Sequence, residues 1–353
     1  MSKPLRIGFI GAGGNTRLRH LPGFKAMPGL ELVAVSNRTK ASAEKVAAEF
    51  GIGRVVETWR EIVEAPDIDA VCIGTWPNLH GRVTVAALRA GKHVLTEARM
   101  ARSLAEAEAM LAEAKARPDL VAQIVPAPMS LPFDKTIAGL LLRGELGDLR
   151  EVCVTCTGAG YADASAPMTW RQDMALSGKN TLFMGIYYEM VLRWLQREPE
   201  AVVAQAAVFT PERRDADGTA QQVVIPESVS ILGTYAPSTG SGQAGGLRLV
   251  AHFSGVEPGL PRNEIRLNGG KAGLRLDLAK NELWFAPVGG AEKPVDIPPE
   301  RRGAWRVEAD FVDSIRDKKP VRLTDFATGV QCMRFTEAVW QSWSSGGARV
   351  ALH

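Results

Sequence analysis

The run Gly8-Phe-Ile-Gly11-Ala-Gly13-Gly-Asn-Thr16 constrains this chain more than any other feature. It closes an apolar, β-rich stretch, Arg6-Ile-Gly-Phe-Ile10, and opens a helical one, the setting that a dinucleotide fingerprint requires. Gly11 would form the tight turn, and Gly13 would let the backbone approach a pyrophosphate. Gly14 and Asn15 would open the helix, whose first N–H groups and dipole favour an anion. The fingerprint's third glycine position holds Thr16, a departure expected to loosen the packing of strand against helix.

The next hundred or so residues repeat the alternation that this motif needs. Strands are expected over 30–36, 70–74, 92–96 and 121–125, and helices over 41–50, 83–90 and 104–116. Gly51 and Gly91 stand just past two of these helices, where a left-handed stop is usual. Ser103-Leu-Ala-Glu106 has capping-box spacing at the start of the third. Strands that alternate with helices imply crossover connections and a parallel sheet.

Beyond residue 125 the pattern changes. Pro126, Pro128 and Pro132 punctuate the exit, followed by a helix over 133–143, a strand over 151–157 and a long helix over 182–196. From Val202 the chain is mostly strands, with Leu247, Leu249, Ala251 and Phe253 on one face. The segments 265–267 and 274–278 flank Asn268-Gly-Gly-Lys-Ala-Gly273, a hairpin signal. Two helices are expected after Trp305, the first burying Val307, Phe311 and Ile315. The run 237–246 is Gly/Ser-rich and reads as a flexible hairpin loop. The expected fold class is α/β: a Rossmann parallel sheet over 1–123, then an α/β domain over 124–353 with a large, mostly antiparallel open sheet.

Composition narrows the function. A chain of 353 residues suggests two or three domains, and 46% hydrophobic with 23% charged residues is ordinary globular usage. The net charge is +3, from 42 basic and 39 acidic residues with no like-charge block, so nucleic acid is not the expected ligand. No stretch approaches 18 apolar residues, and the N-terminal apolar run meets glycines too soon for a secretory signal. No membrane association and a cytoplasmic location are therefore expected. Cys153 and Cys156 form a C-x-x-C on a strand, where residues three apart face opposite sides, and no second pair follows. His20, His93, His252 and His353 lack ligand spacing, so no metal site is expected.

The second strand of a Rossmann unit normally ends in an acidic residue that binds the adenosine ribose hydroxyls. Here it ends Val35-Ser36-Asn37-Arg38. Asn37 removes the carboxylate that would repel a 2′-phosphate, and Arg38 would pair with one. NADP is favoured over NAD on this ground. The alternative is a solvated helix start carrying incidental charges.

Longer stretches resemble a known family. Ala86-Ala-Leu-Arg-Ala90 followed by Gly-Lys-His-Val-Leu-Thr-Glu97 resembles the "AALxAGKHVLxEKP" segment of the glucose–fructose oxidoreductase/inositol dehydrogenase/rhizopine catabolism (Gfo/Idh/MocA) family. Gly74-Thr-Trp-Pro-Asn-Leu-His80 is similar to its "TPNxxH", and Gly185-Ile-Tyr-Tyr-Glu-Met-Val-Leu-Arg-Trp-Leu195 to its "DxGxHxxDxxRWL" helix. The tail from Phe311 to Ser342 also fits, so the resemblance covers nearly the whole chain. It implies a sugar- or polyol-like substrate in a cleft and homodimers or homotetramers formed through the second sheet. It also implies Glu97 near the nicotinamide ribose, with Thr75, Trp76 and His80 beside the cofactor. For Trp76 the nicotinamide side is expected, with loop packing as the alternative; His80 is equally readable as a structural cap.

The departures matter as much as the matches. The family's catalytic Lys falls on Ala98 and the following Pro on Arg99; its Asp falls on Phe183, its His on Tyr187 and its next Asp on Met190. Oxidising an alcohol needs a group to take the hydroxyl proton. Tyr187 is the substitute to consider, if a cation, Arg99 or Lys179, lowers its pKa; plain helix packing is the alternative. Arg171, after Trp170, and Tyr188 are expected on the substrate side, although a surface ion pair explains Arg171 equally well. Three functions follow: an NAD(P)-dependent oxidoreductase of a sugar- or polyol-like alcohol or ketone; a lyase or glycosidase using transient oxidation without net redox; and a non-catalytic dinucleotide sensor.

Overall fold

Six short strands with few polar residues need apolar cover on both sides, and in the first part of the chain they find it as one parallel sheet. The computed structural model describes residues 3–237 and 246–352; most of the Gly/Ser-rich loop expected over 237–246, and His353, lie outside the described residues. Two compact units emerge: Met1–Pro126 with Ala175–Gly178 and Arg306–Met333, and Ala127–Met174 with Lys179–Trp305 and Arg334–His353.

In the first unit, β1 (Leu5–Ile10), a π-helical turn (Thr16–His20), α1 (Leu21–Lys25), β2 (Leu30–Ser36), α2 (Lys40–Phe50), β3 (Arg54–Val55) and α3 (Trp59–Glu64) come first. Then follow β4 (Ala70–Ile73), α4 (Pro77–Arg89), β5 (His93–Thr96), α5 (Leu104–Ala116) and β6 (Ala122–Ile124). The strand order is β3-β2-β1-β4-β5-β6, and the pairings are parallel. Each boundary has a local cause. The Thr39 hydroxyl accepts the Ser42 N–H ahead of α2, and Gly51 ends that helix at φ 74°. Ser103 caps α5 by accepting the Glu106 N–H. Helix α4 starts six residues before the expected 83, because Pro77 at its first turn has a helical φ and lacks an N–H that would be orphaned there anyway.

The chain returns to this sheet near its end. Helix α9 (Val307–Asp317) buries Val307, Phe311 and Val312, while Ile315 is only half-buried. Phe311 packs edge-on against Phe24, which packs edge-on against Phe9 of β1. The Gln123 amide donates to the Val307 carbonyl at 3.1 Å, and the Ile124 N–H to the Thr324 carbonyl at 3.0 Å. The sequence expectation had placed everything after 123 in the second domain. Helical periodicity reveals that a face is buried but not which sheet buries it, so this return was illegible locally.

The second unit holds α6 (Asp134–Leu142), β7 (Leu149–Thr157), the short α7 (Met174–Ser177) that spans the boundary at 174, α8 (Met184–Leu195) and β8 (Ala201–Ala207). A small hairpin, β9 (Glu212–Arg214) and β10 (Ala220–Gln222), precedes β11 (Ser228–Thr234), β12 (Arg248–Ser254), β13 (Arg262–Gly269), β14 (Ala272–Asp277), β15 (Glu282–Pro287) and β16 (Lys293–Pro294). Helix α10 (Phe326–Ser344) runs across the boundary at 333, and β17 (Val350–Ala351) closes the chain. Nine strands form one sheet, β16-β15-β14-β13-β7-β12-β11-β8-β17, antiparallel except where β12 pairs with β7. The expected hairpin sits in register, with Leu267 opposite Leu274 and Asn268 opposite Gly273. Leu249, Ala251 and Phe253 are buried, as the alternation predicts. Helix α8 buries nine of its residues, among them Tyr187, Tyr188 and Trp194.

Candidate functional site

The glycine turn follows β1 directly. Gly11 has φ +80°, and its N–H donates to the Ser36 carbonyl at 2.8 Å. A Cβ there would lie 2.5–2.8 Å from Thr75 atoms, so conformation and close approach both demand glycine. Asn37 adds a second tie: its side-chain oxygen accepts the Ala12 N–H at 2.7 Å. Gly13 and Gly14 are exposed. A Cβ at Gly13 would meet only the Gly74 carbonyl, at 3.8 Å, and one at Gly14 would meet nothing within 4 Å. The space ahead of the helix is open at Gly13 and Gly14.

Thr16 corrects an expectation. It is 1% exposed, and a Cβ on Gly74 would fall 2.0 Å from its hydroxyl. The close contact is therefore kept, with the glycine supplied by the end of β4 instead of the helix. The packing is not loosened.

Beyond the end of β2, the Arg38 guanidinium lies over the Trp76 ring, 5.2 Å from its centroid. In a Rossmann unit this is the adenosine ribose end. Trp76, expected on the nicotinamide side, carries the Arg38 guanidinium on its ring. The carbonyl oxygen of Asn37 is already committed to Ala12, which leaves its amide N–H groups as the donors it can offer a ligand.

The other end of the turn carries charge. Glu97, one residue past β5, accepts on Oε1 from the Asn15 amide at 2.5 Å and lies 3.0 Å from His20 Nε2. His20 Nδ1 lies 2.5 Å from the Glu308 carboxylate on α9. Burial works against ionisation of Glu97, but the hydrogen bond and charge of His20 outweigh it and hold the carboxyl below its usual range. Sequence reasoning gave His20 no role, and nothing near residue 20 announces a partner at 308.

His80 is fully buried, its Nδ1 2.9 Å from the Arg99 carbonyl and its Nε2 2.9 Å from the Thr75 carbonyl. Burial pushes its pKa down. Buried between the two carbonyls, with one N–H to donate when neutral, the ring ties together the loop after β4 and the segment after β5 and is closed off from a cofactor by its burial. This corrects its assignment to cofactor binding. The Ala98–Arg99 peptide bond beside it is cis.

In the second unit the expected proton carrier is in a different state from the one predicted. Tyr187 is 3% exposed. Its ring packs edge-on against Phe253, and its hydroxyl donates to Asn263 at 3.4 Å. Burial, with the Cys156 thiol alongside, pushes the phenol pKa up. The expected lowering by a cation is thus overturned: the Lys179 ammonium pairs with Glu337. Tyr188, also 3% exposed, stacks on Phe335 with centroids 3.8 Å apart. Such depth makes it a packing residue, not the substrate contact expected. Arg171 is exposed and lies over the Trp170 ring, 4.3 Å from the centroid. Phe183, at the family's Asp position, is 46% exposed. Among the described residues, no three His, Cys, Asp or Glu are grouped to hold a metal ion, and no helix is long and apolar enough to cross a membrane.

The parallel sheet, the strained glycine turn and the open space before its helix define a dinucleotide-binding Rossmann unit, and these residues fit such a ligand. Residues 5–123 match the oxidoreductase family, NAD-binding Rossmann fold, and residues 135–274 match the GFO/IDH/MocA C-terminal domain. The chain belongs to the Gfo/Idh/MocA oxidoreductase family. It is similar to levoglucosan dehydrogenase of Pseudarthrobacter phenanthrenivorans, 28% identical over 58% of this chain and 53% of that protein. It thus spans about half the length of that relative. A dTDP-3,4-didehydro-2,6-dideoxy-alpha-D-glucose 3-reductase of Streptomyces antibioticus is 28% identical over 92% of both chains. A levoglucosan dehydrogenase solved in complex with NADH and levoglucosan superposes with TM-score 0.84 at 22% identity over 99% of both chains, which establishes the shared fold.

Proposed function

We propose that this protein is an NAD(P)-dependent oxidoreductase acting on the CH–OH group, or the corresponding ketone, of a sugar- or polyol-like molecule. The observation that carries this reading is the Gly11 turn, pinned by Ser36, Thr75 and Asn37, with open space ahead of Gly13 and Gly14. A bound nicotinamide supplies hydride-transfer chemistry. Gly13, without a side chain, would let the pyrophosphate approach, the N–H groups of Gly14 and Asn15 would donate to it, and Glu97 would accept from a ribose hydroxyl. Arg38, held over Trp76, together with the donor-only amide of Asn37, favours NADP over NAD.

Proton handling falls to Lys179. Tyr187 is disfavoured because burial raises its pKa, and Arg99 because a guanidinium does not give up its proton. Lys179 carries a transferable proton, its side chain is 34% exposed, and Glu337 orients it. Arg99 contributes charge and Arg171 binds substrate hydroxyls. The protein works in the cytoplasm, a compartment in keeping with its four free cysteines. It assembles as a homodimer or homotetramer through the open face of the nine-stranded sheet, where Leu232 is 49% exposed.

The test is a panel of polyols and sugars with NAD(H) and NADP(H), following absorbance at the nicotinamide band together with the products. Net cofactor conversion is the expected result. Product without net conversion would replace this reading with transient oxidation, and binding without turnover would replace it with a sensor.

A further inference from the structure

His20 closes the π-helical turn Thr16–His20, which begins one residue after Asn15. Single π turns inside helices are uncommon and often accompany functional sites. Its ring is 0% exposed, with a carboxylate at each nitrogen: Glu308 at 2.5 Å and Glu97 at 3.0 Å. A neutral imidazole has one N–H, so only the doubly protonated ring donates to both. Burial opposes that charge, but the two carboxylates prevail and its pKa is pushed up to about 9. The Cys72 thiol and the His80 ring also face this cluster. The Cys72 thiol of β4 is pushed up by burial and by both carboxylates, and the His80 ring of α4 is pushed down by burial, so both are neutral near pH 7. The His20 ring thus stands between the Glu97 and Glu308 carboxylates.

The arrangement is asymmetric at Glu97. Asn15 and His20 both reach Oε1, and among the described residues no donor reaches Oε2. Two donors on one oxygen fix the carboxylate plane and leave the second oxygen, on a side chain only 16% exposed, as an acceptor beside the glycine turn.

We propose that His20 is a positioning residue for the cofactor: as an imidazolium anchored by Glu308, it grips Oε1 of Glu97 and presents Oε2 to a hydroxyl of the dinucleotide bound at the Gly11–Gly13 turn. The inference rests on the dinucleotide-binding reading above. Linkage gives it a signature that a merely structural contact lacks. If the protonated ring favours binding, binding must favour the protonated ring by the same factor.

The experiment is a titration of the His20 ring in the full chain by NMR, with and without NADPH or NADH, assigned through a His20→Gln variant. Only five histidines contribute signals. Cofactor binding should raise the His20 pKa by about one unit, equivalent to about a tenfold affinity difference between the two protonation states. Cofactor affinity measured by calorimetry should hold steady from pH 6 to 8 and weaken above pH 9 as the proton leaves. In Glu308→Gln, with one supporting carboxylate gone and burial unopposed on that side, the break should move down by at least one pH unit. A His20 pKa that ignores cofactor, or an affinity break at the same pH in Glu308→Gln, overturns the proposal. If Glu308→Gln does not fold, the NMR shift in the unmodified protein decides. Failure of the unmodified protein to bind either dinucleotide sinks the dinucleotide reading instead.

Discussion

The glycine turn and helix α8 carry the family's motifs with opposite outcomes. Around the turn, residues from the ends of β1, β2, β4 and β5 converge with polar contacts intact: Gly11 against Thr75, Asn37 on Ala12 in place of the usual acid, and Glu97 on Asn15. On α8 the motif's spacing survives but its polar groups have become Tyr187 and Met190, both buried. Helix packing tolerates that exchange, because an aromatic or thioether fills the space of a polar pair and removes its desolvation cost. Proton transfer does not tolerate it. The difference teaches that binding and chemistry are separable here: the glycine turn keeps its geometry, while on the reading proposed above proton transfer must come from outside the positions on α8.

The largest test of that separation lies within the turn itself. Gly11→Val adds a side chain at φ +80° and within 2.5 Å of Thr75, and should cost several kcal/mol of stability, from backbone strain and overpacking of about 1–3 kcal/mol each. Gly13→Val, whose Cβ meets only a carbonyl at 3.8 Å, should melt close to the unmodified protein yet lose NAD(P) binding at least about tenfold, because the side chain fills the space for the pyrophosphate. Thermal melts paired with calorimetry separate the two. Equal damage from both substitutions would mean that the open space is not the ligand's.

Lys179→Met comes next. Turnover should fall by roughly a hundredfold or more, the usual scale of general acid–base catalysis, with cofactor affinity unchanged. Arg38→Ala should reduce the preference for NADP over NAD by roughly tenfold, the scale of a charged hydrogen bond, and an unchanged ratio of dissociation constants would remove Arg38 as the phosphate reader. The smallest effect belongs to Tyr187→Phe. Deleting a hydroxyl whose hydrogen bond to Asn263 is 3.4 Å long should change stability by about 1 kcal/mol or less and turnover by only a few-fold. A hundredfold loss there, with Lys179→Met active, would reverse the assignment of the two residues.

Legibility in the sequence followed the range of the interaction. The five strands expected in the first unit and the hairpin at 268–273 are written in local pattern, since burial on both faces and turn chemistry act over a few residues. The tight turn at Gly11 was legible for the same reason. The packing of Thr16 was misjudged because its complement, Gly74, comes from just past β4, and the Arg38 contact of Trp76 was not visible because it comes from the end of β2. Tyr187 shows the limit most plainly. Its side chain invites acid–base chemistry, but its pKa depends on burial and on Cys156, and its hydroxyl is taken up by Asn263, both brought by the fold from distant strands.

The sequence by itself determined the dinucleotide-binding unit, the antiparallel sheet beyond it and the absence of the family's Lys, Asp and His from their usual places. Only the tertiary structure decided that α9 returns to the first sheet, that Glu308 meets His20 across 288 residues of chain, and that Glu97 is left with one oxygen gripped and one open. The physical reason is that a charge in a protein interior is governed by its nearest opposite charges and by its distance from water. Neither is a property of neighbours along the chain; both are set only when the elements pack.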